Sequence, residues 1–239
     1  MAAVCASATD YTISKNFITI PVKKAWSNGA KTVRLQVIGS KIIRVEATAA
    51  ETFPEKNSLI ILPQPAYTDF TVNETADVVT VRTSCITATI SETDGRVKFM
   101  DKEGKVLLNE VADGRGKVFK PYYVPDREIG ADSHLTEAQR HGWTWTATFQ
   151  SPDDEAFYGL GQHQSEELNM KGRNEDLFQY NTKISVPFVL SNKNYGILWD
   201  SYSYCRFGNP NSYLQLNRAF KLYDKDGKPG SLTGTYTDK

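Results

Sequence analysis

Apolar and polar residues alternate along most of this chain of 239 residues, which is the pattern of strands with one buried face. The stretch KTVRLQVIGSKIIRVEAT is typical, because two alternating runs flank Gly39-Ser40, a pair of residues that favours a turn. The stretch therefore predicts a β-hairpin. The apolar positions that we expect to face a core are Val33, Leu35, Val37, Ile43 and Val45.

Later segments repeat this pattern together with its turn signals. Thr93-Asp94-Gly95 and Lys102-Glu103-Gly104 interrupt a run rich in β-branched residues, and Asn192-Lys193-Asn194 separates two further apolar runs. TEAQRH predicts a single helical turn capped by Thr136. Short strands at this spacing predict an all-β fold, an antiparallel β-sandwich. In HGWTWTATFQ the alternation places four side chains on one face: Trp143, Trp145, Ala147 and Phe149.

Two regions do not follow the strand pattern. Residues 110–142 are interpreted as an irregular surface excursion, whose Tyr122 and Tyr123 alternatively pack against the end of the sandwich. The second region begins at Phe157 and joins two strand-like ends through about twenty mostly polar residues. Long segments without structure of their own are uncommon in compact domains, and those that persist are often functional.

The composition narrows the classes of function. Lys and Arg total 28, as do Asp and Glu, so the formal net charge is zero and the basic surface of a nucleic-acid-binding protein is not expected. No apolar run is long enough to span a membrane. The chain contains 12 Tyr, 11 Phe and 4 Trp. Such rings pack β-sandwich cores, and on a neutral surface they also stack against sugars.

No complete catalytic apparatus, cofactor motif or metal site is predicted. His134, His141 and His163 lack the spacing of a metal site, and the three cysteines form no disulfide pattern. A glycosidase needs two facing carboxyl groups. The acidic residues here are sequence neighbours, such as Glu175-Asp176, and are interpreted as solvated.

The N-terminal residues are small and apolar before the chain turns polar. Ala6-Ser7-Ala8 fits the small-x-small pattern of a signal-peptidase site, although no charged segment precedes it. Residues 1–8 are therefore interpreted as a signal-peptide remnant or as a simple terminus. The first interpretation predicts a periplasmic or secreted protein.

Several motifs resemble the N-terminal domain of glycoside hydrolase family 31, the α-glucosidase and α-xylosidase family. FYGLGQ (157–162), QYNTKISVPF (179–188) and YGILWDSYS (195–203) carry the resemblance, and KIIRVEAT and VKFMDKEGKVLL support it. GLGQHQ and GILWD are similar to the α-xylosidase subgroup, which acts on xyloglucan-derived oligosaccharides. Some members of this subgroup carry a PA14 module.

The resemblance implies a β-sandwich of the galactose-mutarotase type, here residues 9–229, that packs on a (β/α)8 catalytic barrel. The implied partners are that barrel and an oligosaccharide substrate. The implied activity is that of a retaining α-glycosidase, with its two catalytic aspartates in the barrel, so this chain alone is expected to be inactive. Residues 230–239 are interpreted as the start of an insert or linker.

The resemblance also implies that the loop after YGLG helps to form the wall of the sugar site. By position this loop is 171–181. Its candidate substrate-binding residues are Asn174, Asp176, Gln179, Tyr180 and Asn181. The alternative is that residues 179–181 pin the loop to its own strand.

Two other functions compete with the accessory-domain hypothesis. One is a free-standing carbohydrate-binding module. The other is a mutarotase-like epimerase, which needs converging histidines and a glutamate base and is therefore disfavoured by the three scattered histidines. The accessory-domain hypothesis predicts that the reading frame continues into a barrel, and the free-standing-module hypothesis predicts that it does not.

Overall fold

The structure of the chain is a computed structural model. It describes residues 11–54, 58–112, 116–124, 135–164, 167–201, 203–208, 222–223, 226 and 228–230. The interpreted signal remnant 1–8 lies outside the described residues, as does the interpreted insert start after Gly230. The described strands pair antiparallel, which confirms the predicted all-β class. None of the helices described is long and apolar enough to cross a membrane.

Two sheets form the sandwich, and each is a meander of sequential strands. The first has the order β1-β2-β3-β4, with β1 (Thr12–Ser14), β2 (Phe17–Pro21), β3 (Thr32–Gly39) and β4 (Ile42–Thr48). The second has the order β5-β6-β7-β8-β9, with β5 (Thr71–Thr75), β6 (Val78–Arg82), β7 (Ile86–Ser91), β8 (Val97–Asp101) and β9 (Val106–Asn109). The predicted hairpin at Gly39-Ser40 is the connection between β3 and β4.

The main core lies between these two sheets. The predicted residues Val33, Leu35 and Val37 are fully buried, and Ile43 and Val45 pack against them with partial exposure. The second sheet contributes buried residues at alternate positions in the same way. Period-2 burial on both sheets explains why the hydrophobic pattern predicted these strands correctly. The buried residues from the second sheet are Val79, Val81, Ala88, Ile90 and Val97.

The tight turns have the backbone that their residues favour. Ala76 and Asp77 join β5 to β6 with positive φ at both positions (46° and 63°), the geometry that matches the twist of a two-residue hairpin. Gly95 has φ 72°, and a Cβ atom there would lie 2.9 Å from Cγ2 of Val22. The predicted turn at 93–95 therefore needs glycine both for its backbone angle and for its space.

The interpretation of 110–142 as irregular was wrong in part. β10 (Lys117–Tyr123) and β11 (His141–Ala147) form a regular two-stranded ribbon, and α1 (Glu137–Arg140) precedes β11. β10 contains Pro121, and proline is tolerated in a strand of an edge or ribbon. The helical turn predicted after Thr136 is confirmed, because Gln139 Oε1 accepts a hydrogen bond from the backbone N–H of Thr136 at 2.8 Å. Tyr122 and Tyr123 are exposed on this ribbon.

A second group of strands follows the sandwich. β12 (Phe157–Gln162), β14 (Ile184–Ser191) and β15 (Tyr195–Leu198) form a three-stranded sheet with β14 in the centre. β13 (Glu175–Leu177) pairs with β16 (Cys205–Phe207). Two short strands, β17 (Leu222–Tyr223) and β18 (Pro229–Gly230), pair with each other. A small core of Leu160, Met170 and Val189 lies among these elements.

Aromatic and charged contacts join the second group to the sandwich and to the ribbon. The indole of Trp199, just after β15, stacks on Trp145 of β11 with ring centroids 4.4 Å apart. Arg44 Nη2 of β4 lies 2.7 Å from Oδ2 of Asp200, and Ser58 Oγ donates to Oδ1 of the same carboxylate at 3.0 Å. The sandwich therefore fixes the position of the β14 sheet and of the loop next to it.

Candidate functional site

The YGLG motif forms a β-bulge that starts the candidate site. Gly159, Leu160 and Gly161 all have positive φ (116°, 66° and 98°), and the register of β12 against β14 shifts between the two glycines. A Cβ atom on Gly161 would lie 2.1 Å from the carbonyl oxygen of Ile184, so only glycine fits this close approach. The bulge buries Leu160 in the small core.

His163 follows the bulge and is buried beside β13. Its side chain is only 5% exposed, and its Nε2 lies 2.7 Å from the carbonyl oxygen of Leu160. A carbonyl oxygen only accepts, so Nε2 carries the proton in this contact. Nδ1 lies 3.0 Å from Oε2 of Glu175, outside hydrogen-bonding geometry. The ring therefore connects the bulge to the first residue of β13.

Glu175 lies between the imidazole of His163 and the amine of Lys183. Lys183 Nζ, at the start of β14, donates to Oε2 of Glu175 at 3.2 Å, and both side chains are largely buried. The cluster of His163, Glu175 and Lys183 thus holds both ends of the segment that carries the predicted loop. The sequence interpretation missed this cluster because it took Glu175-Asp176 as a solvated pair. Reading Glu175–Leu177 as a strand would have separated the two acids, since successive side chains point to opposite faces.

Asp176 lies on the exposed face of β13 and is held by the neighbouring strand. Tyr204 OH donates to Oδ1 of Asp176 at 2.6 Å, and Arg206 Nε donates to the same oxygen at 3.1 Å. The hydrogen bond from Tyr204, with the nearby guanidinium of Arg206, outweighs desolvation and holds the pKa of Asp176 below its ordinary value. The carboxylate therefore stays ionised and fixes β13 against β16.

The other predicted loop residues lie on one exposed stretch. Asn174, Gln179 and Asn181 are exposed, and the Tyr180 side chain is 50% exposed. The Tyr180 ring lies 6.0 Å from the equally open ring of Phe178. The backbone of Tyr180 pairs with that of Lys183 through two hydrogen bonds of 3.0 and 3.3 Å. The loop is thus pinned through its backbone, while the side chain of Tyr180 stays open to solvent.

An apolar face lies on the outer side of the β12-β14-β15 sheet. Alternate residues of β14 are apolar and exposed, while Val189 and Ser191 between them are buried. Tyr158 stands opposite Leu190, and Leu198 stands opposite Phe188, so the neighbouring strands extend the same face. We call this the β14 face. Its members are Tyr158, Ile184, Val186, Phe188, Leu190 and Leu198.

The buried carboxylates in the described part of the chain are held by neighbouring groups. Glu155 accepts hydrogen bonds of 2.6 Å from Ser191 Oγ and from Tyr195 OH. Burial, and then the hydrogen bond to Glu155, raise the pKa of Tyr195 well above its ordinary value. Glu110 pairs with the buried amine of Lys117. These contacts satisfy buried polar groups and stabilise the fold.

Potential metal ligands do not gather in the described ranges. No group of three or more His, Cys, Asp and Glu side chains there could hold a metal ion. His141 contacts Glu137 at the ribbon, far along the chain from the cluster around His163. His134 lies outside the described residues.

The architecture and the bulged YGLG strand define a galactose mutarotase-like β-sandwich. Residues 32–207 match the family model described as the glycosyl hydrolase 31 N-terminal galactose mutarotase-like domain. This match covers most of the chain, and the chain therefore belongs to that domain family. The resemblance to the N-terminal domain of glycoside hydrolase family 31 is confirmed.

Three relatives illustrate the family. The chain is 38% identical to the GH31 α-xylosidase of Xanthomonas citri, with a TM-score of 0.75 over 91% of this chain and 22% of that one. It is 27% identical to an uncharacterized family 31 glucosidase of Pseudescherichia vulneris, over 74% of this chain and 34% of the relative. It is 25% identical to an α-xylosidase of Saccharolobus solfataricus, over 73% and 23%. The chain spans about a third or less of the length of these relatives.

Proposed function

We propose that the chain is the N-terminal accessory domain of a retaining α-glycosidase, an α-xylosidase that acts on xyloglucan-derived oligosaccharides. The observation that carries this proposal is the 38% identity to the Xanthomonas citri α-xylosidase over 91% of the chain. In this proposal the domain packs on a (β/α)8 catalytic barrel and lends the loop 171–181 to the sugar site. The catalytic carboxylates belong to the barrel.

The β14 face supports the proposed packing on a barrel. Its six exposed apolar side chains lie together on one side of a sheet whose other side is already covered by the small core. Contiguous apolar surface of this kind marks an interaction site. Gly196 contributes to its shape, because a Cβ atom there would lie 2.8 Å from Cζ of Phe188, and only glycine lets that ring lie across the sheet. The barrel of the same protein is the occupant that we assign to this face.

The pinned loop supports the proposed contribution to the sugar site. Its side chains offer hydrogen-bonding groups and one open ring, which are the groups that recognise a sugar. The cluster of His163, Glu175 and Lys183 keeps the loop backbone in place before any ligand arrives. A preordered loop lowers the entropic cost of binding.

Assays on the product of the whole reading frame test the proposed activity. We expect the longer protein to hydrolyse an aryl α-xyloside with a higher kcat/KM than an aryl α-glucoside, and the 239-residue chain to hydrolyse neither. Turnover by the 239-residue chain, abolished by changing one of its own carboxylates, would contradict the proposal. A reading frame without a barrel would contradict it as well.

A charge placed in the β14 face tests the proposed packing. Leu190→Asp should leave the melting temperature of the 239-residue chain nearly unchanged, because this side chain is already exposed. In the longer protein the same change would bury a charge in an interface and should lower the melting temperature. Ile42→Asp is the matched control, since Ile42 is an exposed strand residue of β4. Equal effects of the two variants in the longer protein would argue against a barrel on the β14 face.

A free-standing carbohydrate-binding module is the second candidate function. The exposed rings of Trp143, Tyr123 and Tyr180 favour it. The reading frame decides between the two candidates. We also propose a periplasmic or secreted location, from the small-x-small pattern of Ala6-Ser7-Ala8. Fractionation of the native host, with recovery of the protein only in the cytoplasm, would refute that location.

A further inference from the structure

The ribbon of β10 and β11 carries an aromatic ladder on one face. Its three cross-strand rungs are Phe119 with Trp145, Pro121 with Trp143, and Tyr123 with His141. Residues two apart in a strand share a face, so successive rungs are about 6.8 Å apart. The ladder shares no residue with the loop 171–181 or with the β14 face, and the proposed function makes no use of it.

The inner rung fixes the ladder to the rest of the domain. Phe119 and Trp145 are stacked with centroids 6.0 Å apart, and Trp145 stacks in turn on Trp199. Phe119 N–H also donates to the carbonyl oxygen of Asn28 at 2.7 Å. The base of the ribbon therefore has a defined position, although the two strands form a sheet by themselves.

The outer rung is held by the short helix α1. The guanidinium of Arg140 lies over the ring of Tyr123, 4.6 Å from its centroid. Glu137 contacts both members of the rung, since Oε2 accepts from Tyr123 OH at 3.3 Å and Oε1 lies 3.3 Å from Nε2 of His141. These contacts orient the rings before any ligand arrives, which lowers the cost of binding.

The middle rung is the open part of the ladder. The Trp143 side chain is 63% exposed, while Pro121 opposite it lines the same surface. A shallow cleft of about 350 Å³ lies here, within the size range of small-ligand sites. The cleft is lined by Pro121, Tyr122, Tyr123, His141, Gly142 and Trp143.

We propose that this ladder is a second carbohydrate-binding site, which takes a neutral oligosaccharide of at least two pyranose units. Trp143 would stack on one sugar ring, and the outer rung of Tyr123 and His141 would contact the next. The proposal rests on the proposed function for its class of ligand, and it adds a site away from the loop 171–181. The site would hold a long substrate at a distance from the reacting bond.

The chemistry of the cleft favours a sugar chain over an ionic or purely apolar ligand. Aromatic faces pack against the C–H groups of a pyranose, while hydroxyls need donors and acceptors at the edge. The cleft offers both, because the imidazole of His141 and the phenol of Tyr123 lie on the same face of the ribbon as the indole of Trp143. Glu137 and Arg140 are already engaged with the outer rung, so they bring no free charge that would select an ion. A ladder of repeating rungs also suits a ligand that repeats.

Affinity electrophoresis of the 239-residue chain tests the proposal, with xyloglucan as the polymer in the gel and the xyloglucan heptasaccharide and D-xylose as soluble competitors. We expect the wild-type chain to be retarded by xyloglucan. We expect the heptasaccharide to release it at a concentration at least tenfold lower than xylose does, because one xylose covers a single rung. Trp143→Ala should weaken binding about tenfold, as the loss of one aromatic contact does.

Two further variants keep the test decisive. Trp26→Ala removes an indole that is 58% exposed outside the ladder, and it should bind like the wild type. Trp143→Phe keeps a ring at the position and should bind more tightly than Trp143→Ala if stacking carries the affinity. Circular dichroism of each variant checks that the fold is intact.

Each result decides the proposal. An unretarded wild-type chain, or equal losses in Trp143→Ala and Trp26→Ala, would overturn it. Equal potency of xylose and the heptasaccharide would overturn the requirement for two rings. The proposed function fails on a different observation, which is the absence of aryl α-xyloside hydrolysis by the longer wild-type protein. That small substrate occupies only the catalytic site, so the two failures are distinguishable.

Discussion

Arg44 and Asp200 form a charge-assisted contact of 2.7 Å between residues 156 positions apart in the chain. Arg44 lies in β4 of the sandwich, and Asp200 follows β15 of the second strand group. Both side chains are mostly buried, and Asp200 also accepts from Ser58. This pair therefore attaches the sheet that bears the candidate site to the main core.

Arg44→Met should lower the free energy of unfolding by about 2 kcal/mol, because it leaves a mostly buried carboxylate with a weaker set of partners. Urea denaturation of the 239-residue chain measures the change. Lys31→Met removes an exposed ion pair with Glu51 and should cost less than about 0.5 kcal/mol. Similar losses in both variants would show that the Arg44–Asp200 contact adds no more than a surface pair.

Three glycine variants separate backbone strain from steric clash. Gly161→Ala should be the most destabilising, since its Cβ would meet the carbonyl oxygen of Ile184 and its φ is 98°. Gly104→Ala has a positive φ of 84° but open space, so we expect a loss of about 1 kcal/mol. Gly142→Ala has neither problem and should be nearly neutral. If Gly161→Ala does not have the lowest melting temperature of the three variants, the account of the bulge is contradicted.

Tyr180→Ala tests the loop in the longer protein. If Tyr180 lines the sugar site, kcat/KM on an aryl α-xyloside should fall about tenfold, which corresponds to roughly 1–2 kcal/mol for one aromatic contact. The melting temperature should change little, because half of the side chain is exposed. Trp26→Ala is the control for loss of an exposed ring elsewhere. A large melting shift with normal specific activity would show that Tyr180 is a structural residue.

Asp176 should make stability depend on pH in the acidic range. Its pKa is lower in the folded state than its ordinary value of 3.8, so its stabilising contribution is complete above that value. This contribution is lost as the pH falls from about 3.8 through the pKa that Asp176 has in the folded state. The difference in unfolding free energy between wild type and Asp176→Asn should therefore be constant from pH 7 to about 5, and shrink in stronger acid.

Tyr204→Phe sharpens this test, because the hydrogen bond from Tyr204 is the main cause of the lowered pKa. When Asp176→Asn is made in Tyr204→Phe, the resulting loss of unfolding free energy at neutral pH should be smaller than in the wild type. The pH at which this loss begins to shrink should stay the same, because it is set by the pKa of Asp176 in the unfolded state. Denaturation at several pH values provides the data. A difference independent of pH down to acid unfolding would show that the carboxylate has the same pKa in both states.

The sandwich was predictable from sequence because its strands alternate strictly. Val33, Leu35 and Val37 occupy one face of β3, and nothing outside the strand is needed to assign them. The alternation of HGWTWTATFQ predicted β11, but its partner β10 was missed because β10 combines Pro121 with two exposed tyrosines and buries little. Period-2 burial, the main signal for a strand, is therefore weak there.

The candidate site was predictable only in part. The resemblance located the loop, but the cluster of His163, Glu175 and Lys183 comes from tertiary contacts across the bulge. Residues 12 positions apart in sequence meet there because Gly159 and Gly161 take backbone angles that an alternating pattern does not reveal. Asp176 was predicted as a substrate-binding residue, and in the structure its carboxylate accepts hydrogen bonds from Tyr204 and Arg206.

The β14 face restricts how this domain can spread among genes. A domain that recombines among many genes needs a polar surface in every protein that contains it. An exposed apolar sheet surface makes an isolated copy prone to aggregation. Phe188 and Leu190 would bring that penalty to any new host that did not also supply a complementary surface. If the proposed barrel covers this face, inheritance of the two domains together avoids the penalty, and both domains are then expected to share one evolutionary history.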